Sequence, residues 1–224
     1  MRIFQIFHIL PLLLLGSCSA LKQQTTAPQQ YVDLGLTSGT LWATCNIGAT
    51  NETEAGIFVA WGETEEKETY SRDNYFDANN VIFNATDNAS LVGTKYDAAQ
   101  KLWGEEWVMP TREQAVELYT QCTWKWVADY KKSGAAGCIV TGPNGKSMFI
   151  PAGGLKMEDQ HNYQTYGNLW IGSLHRYNRV DWARFMDFNS NGPAFQPIPF
   201  GNSTHIVSQD YRWWGRNIRA VRKQ

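Results

Sequence analysis

The sequence predicts an α+β fold, and three observations carry that prediction. Short runs rich in β-branched and aromatic residues recur along the chain, glycine, proline and asparagine clusters separate them, and two stretches only have helical spacing. Two helices embedded among many short strands describe α+β rather than an alternating parallel-sheet series.

The elements are read in order. Tyr31-Val-Asp-Leu-Gly-Leu36 and Thr40-Leu-Trp-Ala-Thr-Cys45 flank Ser38-Gly39 and predict a hairpin. Gly56-Ile-Phe-Val-Ala-Trp61 is a further extended run, whereas Gly62 to Gly93 is polar, Asn-rich and aperiodic, and is expected to be a long surface excursion. Tyr96 to Trp103 has alanines and a tryptophan at helical spacing and is closed by Gly104. A second helix begins at Pro110-Thr111-Arg-Glu-Gln114, where Thr111 and Gln114 form a capping box and Ala115, Leu118 and Cys122 fall on one face. Strands then follow at Trp124–Val127, Cys138–Thr141 and Ser147–Ile150, the last two joined through Gly142-Pro-Asn-Gly145, in which Asn-Gly is a hairpin signal. Asn168–Ser173, Trp182–Phe188 and Asn217–Arg222 supply the late strands, with Trp170, Trp182 and Phe188 expected in the core.

The amino end has a different character. Met1 and Arg2 precede an apolar run from Ile3 to Leu15 and then small residues, the order of an export signal. The run falls short of the about 20 apolar residues that span a bilayer. Residues 1–17 are therefore expected to be a signal peptide. Leu15-Gly16-Ser17-Cys18 resembles the bacterial lipobox, so Cys18 is the expected lipid attachment site. Residues 18–30 are Gln/Thr/Ala/Pro-rich, too poor in apolar side chains to fold, and read as a tether. Residues 31–224 fit a single domain. The location implied is the cell envelope, lipid-anchored in the outer membrane with the bilayer as one partner.

Charge excludes a class of partner. With 20 Lys+Arg against 21 Asp+Glu the formal net charge is −1, which gives no field for nucleic acid. Ten Trp, ten Tyr and ten Phe at 18% charged residues need either a core or a binding face. After Cys18 there remain Cys45, Cys122 and Cys138. Export carries them where disulfides persist, and only one pair can form. Their spacing fits no zinc motif, and no metal or other cofactor is expected.

The order of several motifs resembles a known family. Tyr31-Val-Asp-Leu-Gly-Leu36, Leu41-Trp-Ala-Thr-Cys-Asn-Ile-Gly-Ala49, Ala60-Trp-Gly-Glu-Thr64, Trp107-Val-Met-Pro-Thr111, Cys122-Thr-Trp124, Val140-Thr-Gly-Pro-Asn-Gly145, Phe149-Ile-Pro-Ala-Gly-Gly154 and Arg219-Ala-Val-Arg222 look like the Fibrobacter succinogenes major paralogous domain, common in Bacteroidetes envelopes. The resemblance spans Tyr31 to Arg222 and implies a C-type-lectin-like fold. It also implies a disulfide between Cys45 and Cys122, both at family-typical positions. The chain departs from the family at Cys138, where an aromatic is usual, and at Trp170-Ile-Gly-Ser173, where a Trp-Ser-Ser-Ser-like run is more common.

Enzyme signatures are weak throughout. Gly145-Lys146-Ser147 ends like a phosphate-binding loop, but Val140 stands where the first glycine belongs and strand residues follow it. Ser173 and His175 are sequence neighbours without a Gly-x-Ser-x-Gly elbow, and His161, His175 and His205 are scattered. Asp181 and Asp187 have no separation that sequence can supply. No cysteine follows Cys138, so formylglycine-type oxidation, which needs a late reactive pair, is not expected. Asp73, Asn74, Asp77, Asn79 and Asn80 are oxygen-rich but depart from EF-hand spacing, and a solvated loop explains them. The chain is expected to be no enzyme.

Binding remains. Loops of the last third mix aromatics with Asn and Arg, the composition of recognition surfaces. Tyr177, Asn178, Arg179, Tyr211, Arg212 and Trp213 are the expected exposed ligand-binding patch. The function read from these features is a non-catalytic recognition module for a glycan or protein ligand. The alternative is a structural or fimbria-associated envelope subunit, and a hydrolase ranks behind both.

Overall fold

In a computed structural model of the protein, residues 30–83, 90–161, 165–174, 180–193 and 207–222 are described, with the backbone alone at 198–200 and 203–205. Cys18, the expected signal peptide and almost the whole expected tether lie outside these residues. In chain order the elements are β1 (Tyr31–Asp33), β2 (Leu41–Ala43), α1 (Ala98–Trp103), β3 (Trp107–Val108), α2 (Arg112–Gln121), β4 (Thr123–Val127), a short 3-10 turn (Tyr130–Lys132), β5 (Gly137–Thr141), β6 (Ser147–Pro151), β7 (Lys156–Met157), β8 (Gln160–His161), β9 (Tyr166–Leu174), β10 (Trp182–Asn189), β11 (Gly192–Pro193), β12 (Ile198–Phe200), β13 (Ser203–His205), β14 (Ser208–Tyr211) and β15 (Val221–Arg222). Two helices and antiparallel strand pairs in several small sheets make this a mixed α+β architecture.

The first hairpin forms where the sequence expects it. Tyr31 stands opposite Ala43 and Asp33 opposite Leu41, and the Gly39 N–H donates to the Leu36 carbonyl at 2.9 Å. The chain's last strand closes against its first hairpin, in the order β1-β2-β15-β3. Val221 pairs with Trp42 on one side and Val108 on the other.

Both helices owe their starts to caps. The Asp97 carboxylate accepts N–H bonds from Gly93, Ala99, Gln100 and Met109, which ties α1 to β3, and burial pushes its pKa up against those bonds. On α2 the capping box is complete: the Gln114 N–H donates to the Thr111 hydroxyl and the Thr111 N–H to Gln114 Oε1. Ala115 and Leu118 are buried, and Cys122 is the half-buried residue that ends the helix.

After α2 the chain runs as a meander β4-β5-β6, with Trp124 opposite Val140 and Cys138 opposite Ile150. The turn from β5 to β6 uses Gly145 at φ 80°, a conformation that favours glycine, and its N–H reaches the Gly142 carbonyl at 3.0 Å. Ser147 continues directly into β6, so no helix follows Gly145-Lys146 to present N–H groups to a phosphate. In the last third β10 pairs with β9, β11 and β14, with a register shift against β9 between Ala183 and Phe185.

Buried side chains form three clusters. The first gathers Cys45, Ile47, Trp61, Leu91, Trp103, Met109, Trp170 and Phe185 beneath α1. The second joins Leu34, Trp42, α2, the meander and the inner face of β9 and β10. The third is small and consists of Phe58, Ala60, Tyr70 and Tyr75, with Trp213 packed against it.

Two expectations bear on the core. The stretch after Gly62 runs over the surface as expected, with Arg72, Phe76, Val81 and Ile82 exposed, yet it is anchored inward by the buried Tyr70, Tyr75, Asp77, Phe83 and Leu91; residues 84–89 lie outside the described part. Cys45 and Cys122 are free thiols here, Cys45 inside the first cluster and Cys122 against the second, and the disulfide that the family resemblance implies stays an expectation. The Cys45 thiol instead lies 3.5 Å from the Ala49 carbonyl oxygen. Trp170 and Phe188 are fully buried as expected, while Trp182 is only half-buried.

Candidate functional site

The segment Arg212 to Trp214 follows β14, which ends at Tyr211, and turns at the molecular surface. Its backbone is held on two sides, since the Arg212 N–H donates to Asp181 O at 3.0 Å and the Arg212 carbonyl accepts from Trp61 N–H at 2.8 Å. Gly215 then passes directly over Tyr70, where a Cβ would meet ring atoms at 2.8 Å. These constraints fix which side chains face inward.

Arg212 is the inward one, with 0% exposure, so it does not belong to the exposed patch expected of it. Its guanidinium lies 3.3 Å from the buried Asp77 carboxylate, donates to the Phe83 carbonyl and bonds the Asn80 side chain. The rings of Trp61, Tyr75 and Phe83 surround it at 5.6 to 5.9 Å. Asp77 is spent in the same knot, accepting the N–H groups of Val81, Ile82 and Phe83. The oxygen-rich loop is therefore organised around a cation that the protein itself supplies. Among the described residues no group of three or more His, Cys, Asp or Glu is placed to hold a metal ion.

The outward residues are aromatic. Tyr211 and Trp213 stack at 4.4 Å and 20°, Trp214 stands 6.4 Å from Trp213 at 52°, and Trp182 meets Tyr211 edge-on at 5.9 Å. All four are half-buried. Arg72, an exposed residue of the loop that Arg212 pins, places its guanidinium 5.9 Å from the Trp213 ring. Rings held from beneath and half open above offer contact area with little rotamer entropy left to lose.

Behind this surface lies a polar cluster on β9, β10 and β14. The fully buried Arg216 sits 4.3 Å from the Trp170 ring and 4.0 Å from that of Phe185, and it bonds Asn168 at 3.0 Å and Asp210 at 2.7 Å. Burial pushes its pKa down to about 10, so it remains charged at neutral pH. Burial likewise pushes the Asp187 carboxyl up to about 6, against the opposing pull of the Ser208 hydroxyl and the Arg216 charge. Ser208 donates to Asp187 at 2.7 Å, and the Tyr119 hydroxyl bonds the Asp187 backbone at both ends. These contacts knit α2 to the sheet, while Arg216 Nη1 has no hydrogen-bond partner among the described residues.

Of the expected ligand-binding residues, Tyr211 and Trp213 come together at the surface and Arg212 points inward; Tyr177, Asn178 and Arg179 lie outside the described residues, as does His175. Arg72 escaped the sequence reading because nothing local links it to a tryptophan so far along the chain. His161 is engaged with the Gly153 carbonyl at 2.9 Å and packs edge-on against Phe58. Compared with known protein families, with curated proteins and with solved structures, the chain matches none.

Proposed function

We propose that the protein is a cell-envelope lipoprotein, anchored through Cys18, that acts as a non-catalytic recognition module for a glycan or protein ligand on a C-type-lectin-like scaffold of the Fibrobacter succinogenes major paralogous kind. The observation that carries this reading is the half-open aromatic surface of Trp182, Tyr211, Trp213 and Trp214, braced from below by the buried Arg212. Lipobox, tether and recognition surface together describe a domain displayed on a membrane to meet something outside it.

The test uses the full chain in detergent micelles against a glycan array and a panel of envelope and host-surface proteins, beside the double variant Tyr211→Ala/Trp213→Ala. Saturable binding that the folded variant loses is the expected result. Binding that persists in the variant would remove the aromatic surface from the proposal. Cys18→Ala is expected to shift the protein from the membrane fraction to the soluble one.

A second reading, a structural or fimbria-associated subunit, draws on a different surface. Val81 is 79% exposed, and Phe76 and Ile82 of the same loop are exposed as well. Apolar groups grouped on a surface are used where a partner covers them. A stoichiometric partner co-purifying from native membranes, lost on Val81→Asp, would favour it.

A further inference from the structure

The chemistry of the surface around Trp213 narrows the ligand class. This step rests on the recognition reading above and commits it to one kind of glycan. Many surface cations of the protein are paired: Lys67 with Glu63 at 2.8 Å, Lys131 with Glu52 at 2.7 Å, Lys156 with Glu66 at 2.9 Å, Arg222 with Glu106 at 2.6 Å. Arg72 differs. Its guanidinium pairs with no described carboxylate, and its hydrogen bond is a long one of 3.5 Å to the Ala78 carbonyl. It stands exposed over a tryptophan ring, an arrangement that orients a guanidinium while leaving its donors to solvent.

The indoles beside it carry the same polarity. Trp61 and Trp170 spend their ring N–H on the Ile171 and Val59 carbonyls at 2.9 Å. The ring N–H groups of Trp213 and Trp214 bond to no described residue, are not among the buried atoms without a partner, and belong to half-buried side chains. The surface thus joins half-buried aromatic rings to three sets of open donors. Its complement is a ligand with an apolar C–H face and acceptor oxygens, one of them anionic.

We infer that Arg72, Trp213 and Trp214 form a subsite for a carboxylated pyranose, with the carboxylate on the Arg72 guanidinium and the sugar's C–H face against an indole. A charge-assisted contact of this kind strengthens binding by about tenfold or more over its neutral counterpart. Uronic and sialic acids share this chemistry, and the experiment separates them.

Binding of the full chain in micelles is measured for an oligogalacturonide and its fully methyl-esterified form, and for sialyllactose and lactose. The expected result is that at least one acid binds about tenfold or more tightly than its neutral partner, and that the preference weakens with salt. Arg72→Gln should abolish that preference while leaving the neutral sugar's affinity in place; Trp214→Ala should weaken both forms. Which acid shows the preference identifies the sugar. Equal binding of acid and neutral forms, or a preference that survives in Arg72→Gln, overturns the inference and leaves the recognition reading standing. No binding to any of the four sugars overturns it as well, and the recognition reading is then decided separately by the protein panel. Because Arg72 is exposed, Arg72→Gln is expected to unfold at the same denaturant midpoint as the parent.

Discussion

The helix α2 with its meander β4-β5-β6 and the loop Gly56–Phe83 with the closing segment Ser208–Arg222 reach similar burial by opposite means. In the first region each link joins chain neighbours: a capping box spanning three residues, a helix running straight into a strand, and two successive hairpins in register. In the second, arginines near the carboxyl end reach across the whole molecule. Arg212 bonds Phe83 and Asn80 at sequence separations of 129 and 132, and Arg219 bonds Asn46 and Ala43 at 173 and 176. A locally built region can lose one contact and keep its form. A region closed by buried ions depends on a few groups whose removal leaves a partner charged and dry.

The largest effect that this difference predicts is at Arg212. Arg212→Ala leaves the buried Asp77 carboxylate without its cation, and the expected cost is about 3–5 kcal/mol in denaturant unfolding. Proteolysis within Gly62–Phe83 should rise with it. A loss under about 1 kcal/mol would break the comparison, since the loop would then be held by its apolar contacts alone. Leu118→Ala is the matching change in the local region: Leu118 is fully buried against the second cluster, and the expected loss is about 2–5 kcal/mol without new cleavage in the loop. Thr111→Ala removes the cap hydroxyl from the Gln114 N–H and should cost about 1 kcal/mol. A thiol titration sharpens the picture from another side. The unfolded chain from Gln30 should show all three of Cys45, Cys122 and Cys138 free, and two missing thiols would restore the disulfide that the family resemblance implies.

What the sequence made legible follows the same division. The first hairpin, both helices, the capping box and the Asn144-Gly145 turn were readable because each is set by residues within a few positions of one another. The inward anchors of the loop after Gly62 were not legible because their organiser, Arg212, is distant in sequence, and because an aspartate that takes three backbone N–H groups looks in sequence like any solvated Asp. The candidate site was half legible. Tyr211 and Trp213 stood out by composition, yet the fact that Arg212 between them faces inward is a matter of backbone alternation at the end of β14, which composition does not carry. Arg72 offered no signal at all, since its partner ring arrives only through the long-range knot.

The smallest expected change concerns Asp187, and it tests whether the polar cluster behind β14 belongs to the ion-closed region. Its carboxyl, ordinarily near 3.8, is raised to about 6 by burial. A group whose folded pKa lies above its unfolded one takes up protons more readily when folded, so stability rises as pH falls from about 6 toward 3.8 and the charged form costs stability above that window. Arg216 faces it from the segment after β14, Ser208 bonds it from β14 itself, and Tyr119 packs from α2. Because water still reaches Asp187, solvent screening keeps the effect small. Asp187→Asn, which can still accept the Ser208 hydroxyl bond, should flatten this part of the stability profile and raise the unfolding midpoint at neutral pH. A fall at neutral pH would mean that the Asp187 charge balances Arg216, and the cluster would then join Arg212–Asp77 as a second ionic closure of the carboxyl-terminal region.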